Sequence, residues 1–172
     1  QHPFLDISKI KIQPGLDSPY CRIMVRSDGD RAILFYNTQK MQMVSPDQSM
    51  FENVKLVGLD LNGPERIEAA VMARGLNCAT IVGDVMHLEH PILPYCSIIT
   101  NSAALIRHQY PDIDLLKHAH ALHNASGSAV ITTDGARPVH VITPQGQEFW
   151  VKPPALPVVD TTGAGDALKA GI

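Results

Sequence analysis

Val158-Val159-Asp160-Thr161-Thr162-Gly163-Ala164-Gly165-Asp166-Ala167-Leu168-Lys169-Ala170-Gly171-Ile172 is the stretch from which the rest of the sequence is read. Two β-branched residues run into Asp160, then come a Thr-Thr pair, a Gly-Ala-Gly turn and a segment that can begin a helix. A turn of small residues lets a ligand approach its backbone closely. The first N–H groups of a helix have no partner inside it, and the helix dipole is positive at that end. A phosphate fits such a place. Asp166 stands at its mouth, where a carboxylate would repel a bound phosphate. That choice makes chemical sense if Asp166 takes a proton from a hydroxyl that attacks the phosphate.

Two commoner phosphate motifs do not fit. A dinucleotide fingerprint needs Gly or Ala three residues after its second glycine, and Leu168 stands three after Gly165. A P-loop needs Gly-Lys-Ser/Thr, and Gly165 is followed by Asp166. The competing reading is a glycine-rich helix entry that binds nothing.

The 172 residues suit a sizeable core, and 45% hydrophobic with 18% charged residues reads as globular rather than disordered. A net charge of −3 gives no electrostatic reason to bind nucleic acid or a membrane surface. Cys21, Cys78 and Cys96 have no Cys-x-x-Cys spacing, which suggests reduced thiols and a cytoplasmic protein. No apolar run approaches the length of a membrane span.

From the N-terminus, Cys21 to Arg26 and Ala32 to Tyr36 are β-rich runs joined by Ser27-Asp28-Gly29-Asp30, a hairpin signal. Ser45-Pro46 reads as the cap and first residue of a short helix ending near Phe51. Strands and helices then alternate. Strands are expected at Lys55–Leu61, Cys78–Val82, Ser97–Thr100 and Ser128–Thr132. Helices are expected at Glu65–Arg74, closed by Gly75, at Ser102–His108 and at Asp112–Asn124, with a broken or short helix around Pro91 and Pro94. His140–Thr143 and Glu148–Val151 flank Pro144-Gln145-Gly146 as a second hairpin. The rhythm predicts an α/β fold, a mainly parallel sheet with helices on both faces. Ligands of such sheets bind at the carboxyl ends of the strands, where Asn101, Thr133 and the Gly163 turn are expected to fall.

Asp160-Thr161-Thr162-Gly163-Ala164-Gly165-Asp166-Ala167-Leu168 resembles the C-terminal signature of the PfkB, or ribokinase-like, carbohydrate kinases. The resemblance implies that Gly163, Ala164 and Gly165 form an anion hole and that Asp166 is the catalytic base. It implies transfer of the γ-phosphoryl group of ATP to a sugar hydroxyl, with Mg2+ bridging the nucleotide phosphates. Asn101 matches the start of the family's Asn-x-x-Glu motif, but Ala104 replaces the Glu; a helix cap is the other reading of Asn101. Thr133-Asp134-Gly135 resembles the Thr-x-Gly-x-x-Gly nucleotide loop, with Pro138 at the last glycine, so Thr133 and Gly135 are nucleotide-binding candidates unless the stretch is a plain turn. The first hairpin corresponds to a strand pair of a small lid sheet over the sugar. Tyr36 and Asn37 at its end are candidate substrate contacts, and the lid leaves room for a homodimer.

On this reading the chain is one partial α/β kinase domain, an internal or C-terminal piece that is expected to be inactive by itself. The alternative is a non-catalytic nucleotide- or sugar-binding protein that kept the fold. Which sugar is bound does not follow from these residues. Lys169, three after Asp166, reads more readily as a solvated lysine than as a phosphate ligand. Asp84 reads as a helix cap sooner than as a site residue, and His87, His90, His118, His120 and His123 read as surface residues with no direct metal ligand among them.

Overall fold

The computed structural model describes residues 5–26, 31–41, 43–60, 63–158 and 160–172. It divides into two compact units, Gln1–Ser45 and Pro46–Ile172.

In the first unit, strand β1 (Tyr20–Val25) pairs antiparallel with β2 (Arg31–Tyr36), Tyr20 opposite Tyr36 and Val25 opposite Arg31. Cross-strand side chains are the unit of sheet stability. Here the Tyr20 and Tyr36 rings stack at 4.8 Å, and the Arg22 guanidinium lies over the Tyr36 ring. The predicted turn at Ser27–Asp30 lies outside the described residues. Met24, Val25, Ile33, Leu34 and Phe35 of this pair are all exposed.

The second unit is built on a six-stranded sheet in the order β3 (Leu56–Leu59), β4 (Ala79–Gly83), β5 (Ile98–Ser102), β6 (Ala129–Asp134), β7 (Arg137–Ile142), β8 (Glu148–Val151). β3 to β6 pair in parallel, and β7 runs antiparallel between β6 and β8. Helices α1 (Pro64–Gly75), α2 (Ala103–Gln109) and α3 (Leu115–Ser126) connect the strands, and α4 (Ala164–Gly171) follows the sheet. Ala70 of α1 and Ala119 and Leu122 of α3 join Val82, Ile99, Val130 and Ile142 of the sheet in one core, with Val85 and Ile92 from the β4–β5 connection. Full burial of each larger aliphatic chain is worth about 1.5–3 kcal/mol. Phe51, Ala73 and Cys78 form a smaller cluster at the other end of α1.

The ends of elements differ from expectation for local reasons. Gly75 does not close α1: it is the last helical residue, and the left-handed position falls on Asn77, the non-glycine type that best tolerates it. Helix α3 starts three residues later than the pattern suggests, because the Asp114 carboxylate accepts from the Leu116 and Lys117 amides at 3.1 Å and caps it there. The Ser45-Pro46 cap is not used either. Asp47 caps a single 3-10 turn at Gln48–Met50. Another such turn, Leu93–Tyr95, stands where the prolines break the β4–β5 connection.

Candidate functional site

The carboxyl ends of the four parallel strands line up Asp60 after β3, Asp84 after β4, Asn101 in β5 and Thr133 in β6. Helix α4 reaches this edge. Its first residue is preceded by Gly163 at φ 79°, a left-handed conformation that costs a residue with a Cβ about 1–2 kcal/mol. The turn is tied upstream, as Thr162 N–H donates to Asp160 Oδ1 at 2.8 Å and Ala164 N–H to Thr161 O at 3.2 Å. Among the described residues, the Gly165 and Asp166 amides have no partner. Thr161 to Ala167 are exposed, and a side chain grown at Gly163 or Gly165 would meet no protein atom within 4 Å. The result is an exposed turn with two N–H donors at the positive end of a helix. That arrangement can hold an anion.

Asp166 projects from the first turn of α4 with 74% of its side chain exposed. Lys169, one turn on, is not the solvated lysine expected from its residue type. Its side chain is only 22% exposed, and its Nζ donates to Asp60 Oδ1 at 2.6 Å and lies 3.3 Å from Asp166 Oδ1. Burial draws the Lys169 ammonium down, but the hydrogen bond and charge of Asp60, and then Asp166, outweigh it and leave the pKa raised. Lys169 crosses over Gly83 at the end of β4, where no side chain blocks it.

Asp84 holds a left-handed φ of 57° and donates its N–H to Thr100 O at 2.9 Å, so it joins β4 to β5 and caps no helix. The protein packed about its carboxyl pushes its pKa up, Lys169 and Arg66 oppose that, and Asp60 and Asp166 add to it. Arg66 is buried in α1 and donates to Gly83 O; burial lowers its pKa. Three aspartates thus face one strand edge, with Lys169 and Arg66 as the cations among them.

Asn101 lies within β5 rather than after it, and Ser102 occupies the position before α2. The cap reading of Asn101 therefore fails. Its side chain is buried, Nδ2 donates to Val85 O at 2.8 Å, and among the described residues Oδ1 has no partner. Strand β6 runs past Thr132 to Asp134, so Thr133 is a strand residue whose Oγ1 donates to Asn101 O at 3.4 Å. Gly135, at φ 60°, and Ala136 form a two-residue hairpin turn into β7, of the kind that needs a positive φ. Asp134 takes a bidentate pair from Arg107 at 2.8 and 2.9 Å and a third bond from Arg137 at 2.9 Å. The Arg107 bonds come first in holding its carboxyl below the ordinary aspartate value, against some burial.

Asp166 and the Gly163 turn meet the sheet edge at β3 and β4 through Lys169, while Asn101, Thr133 and Gly135 line it at β5 and β6. Among the described residues no hydrogen bond or ion pair joins the two groups. Tyr36 and Asn37 belong to the unit Gln1–Ser45. There Tyr36 is half-buried in its stack with Tyr20, and Asn37 holds a left-handed φ of 62° before a 3-10 turn. Among the histidines, the surface reading is wrong for His118. It is buried with Nε2 against Met86 O at 2.8 Å. His140, also buried, meets Glu148 at 2.6 Å.

Sequence reasoning missed Asp60, the partner of Lys169. The signal was present: Asp60 ends an apolar strand at the edge where α/β sites form. It also missed the Arg107–Asp134 pair, whose members stand 27 positions apart.

The sequence profile of the pfkB family carbohydrate kinases matches residues 4–172. This chain belongs to the pfkB family. Solved structures similar to this pfkB chain include ribokinase from Thermotoga maritima, 17% identical with a TM-score of 0.62, covering 90% of this chain and 57% of that one. Arabidopsis thaliana ribokinase complexed with ribose and ATP is 20% identical with a TM-score of 0.68, covering 88% and 54%. Aminoimidazole riboside kinase from Salmonella enterica, complexed with aminoimidazole riboside and an ATP analogue, is 22% identical with a TM-score of 0.58, covering 69% and 46%. No curated protein matches. At these identities the likeness shows the fold: a mixed, mostly parallel sheet with helices and a small two-stranded sheet, ribokinase-like. The chain spans about half the length of the structures it matches.

Proposed function

We propose that this chain carries the phosphate-handling half of an ATP-dependent carbohydrate kinase site. The observation that supports it most is the pairing of an exposed turn, whose Gly165 and Asp166 amides have no partner among the described residues, with the exposed Asp166 carboxylate on the same helical turn. A site for binding alone would not place a carboxylate beside bound phosphate.

In the proposed reaction a sugar hydroxyl attacks the γ-phosphorus of ATP. A new P–O bond forms to the sugar, the bond to the ADP oxygen breaks, and the hydroxyl proton passes to the Asp166 carboxylate. The transition state of such transfers is loose, so the hydroxyl becomes acidic late and a carboxylate suffices as the base. The Gly163 to Asp166 turn holds the charge that develops on the transferred group. Asn101, Thr133 and Gly135 line the nucleotide side; Tyr36 and Asn37 at the end of the hairpin are the candidate substrate contacts, and the hairpin is the candidate homodimer surface.

Among the described residues no three His, Cys, Asp or Glu side chains stand together to hold a metal ion. Ala104 removes the carboxylate that the Asn-x-x-Glu motif would supply. On this proposal magnesium arrives on the nucleotide phosphates. Among the described residues no helix is long and apolar enough to cross a membrane, and Cys21, Cys78 and Cys96 are free thiols, which suits a cytoplasmic enzyme.

The test is a screen of the protein for transfer of γ-phosphate from labelled ATP to a panel of sugars and nucleosides. Label on at least one sugar or nucleoside supports the proposal. ATP binding with no acceptor labelled, and no transfer in any longer form of the protein, would favour the non-catalytic reading that Ala104 suggests.

A further inference from the structure

We propose that Lys169 is a positioning residue that tethers helix α4, and with it the anion turn and Asp166, to the strand edge through Asp60. The inference deepens the kinase reading and rests on it for its kinetic arm.

The argument begins with what does not hold α4. None of its eight residues is fully buried, and Leu168 is its one half-buried apolar residue, so its apolar hold on the sheet is slight. Upstream, the Lys152 to Pro157 segment makes no strand pairing. The Lys169 Nζ to Asp60 Oδ1 bond, at 2.6 Å, links residues 109 positions apart and joins the helix to the end of β3.

The same ammonium stands 3.3 Å from Asp166 Oδ1. An isolated pair three residues apart on an exposed helix is worth little, because ordering two free side chains offsets the attraction. Lys169 is already ordered by Asp60, so its contact with Asp166 carries less of that cost. Charge points the same way. Asp60, Asp84 and Asp166 are mutually repulsive; Arg66, which donates to Gly83 O, offsets Asp60 and Asp84, and Lys169 is the cation in contact with both Asp60 and Asp166. Without Lys169, the repulsion from Asp60 and Asp84 would push Asp166 and the start of α4 off the edge. The gap at Gly83 lets the lysine pass, since a Cβ there would stand 3.3 Å from Nζ and 2.7 Å from Asp60 Oδ1. A 1 Å misplacement of a catalytic group can cost about 10²-fold in rate.

The experiment compares wild type with Lys169→Met, Lys169→Arg and Asp60→Asn in the full chain, by steady-state kinetics and by hydrogen exchange of the α4 amides. Expected are a loss of about 10²-fold in kcat for Lys169→Met and a smaller loss for Asp60→Asn, with KM for ATP and sugar moving less than about threefold. Lys169→Arg should recover at least tenfold of the loss. The amides from Leu168 to Gly171 should exchange about tenfold faster in Lys169→Met and Asp60→Asn, with the core strands unchanged. Wild-type kcat in Lys169→Met, or unchanged α4 exchange in both variants, would overturn the tether. If neither the wild type nor any longer form of the protein labels an acceptor, the kinase reading fails separately, and exchange alone decides whether Lys169 holds the helix.

Discussion

Replacing Gly83 by alanine separates folding from function at this edge. The backbone of Gly83 is not in the left-handed region, so alanine adopts it without strain. The new Cβ would stand 2.7 Å from Asp60 Oδ1, 3.3 Å from Lys169 Nζ and 3.6 Å from Lys169 Cδ. The first distance is impossible, yet the atoms in the way belong to side chains that can swing aside. What is lost is the Asp60–Lys169 pair. Asp60 is 57% exposed, so solvent screens the pair to about 0.2–1 kcal/mol. Exchange of glycine for alanine returns about 0.4–1 kcal/mol by restricting the unfolded chain. The two nearly cancel, and the melting temperature should move by no more than about 4 °C. Turnover should nonetheless fall by up to about 10²-fold, because the helix bearing Asp166 loses its tether. Differential scanning calorimetry and a coupled ADP-release assay on the same sample measure both. A melting temperature lowered by more than about 8 °C would show that Gly83 sits in a rigid core contact. Unchanged turnover would show that the tether is irrelevant to the chemistry.

Further outcomes follow from other residues. Gly163→Ala should destabilise α4 locally by about 1–2 kcal/mol through its φ of 79°, read as faster amide exchange in α4; unchanged exchange would contradict the left-handed turn. Asn101→Leu should cost about 1–3 kcal/mol in urea denaturation, because the Val85 carbonyl loses its donor inside the protein; a neutral result would contradict that burial. Asp134 has its pKa depressed, first by Arg107, so its contribution to stability is present above the unfolded value near 3.8 and is lost as pH falls through the lower folded value. The melting midpoint of the wild type should therefore fall more steeply below about pH 4 than that of Asp134→Asn, and parallel curves would contradict the pairing.

The parallel sheet was legible because its strands are short apolar runs separated by helical periodicity, and each has only to be placed to within a residue or two. The glycine turn before α4 was legible for a stronger reason: the small residues of Gly163 to Gly165 mark a helix entry, and Gly163 takes the left-handed φ of 79° that such an entry uses; that the turn holds an anion is the proposal. What stayed hidden were contacts that only the third dimension creates. Lys169 looks solvated in sequence because nothing nearby in the chain but Asp166 can pair with it, and Asp60 lies a whole sheet away. His118 looks like surface beside His120 and His123, yet one turn of helix points it at the Met86 carbonyl. Asn101 sat one residue from the expected end of β5, and that residue decides between a cap and a buried strand position.

The central claim is that Asp166 is the base of a phosphoryl transfer, and Asp166→Asn tests it most directly. The measurement is kcat for the best acceptor found in the labelled-ATP screen, alongside the Kd for nucleotide. A general base contributes about 10²–10⁴-fold, so kcat should fall by that factor while Kd moves less than about threefold. A loss of less than about tenfold would contradict the account and leave the turn as a binding site.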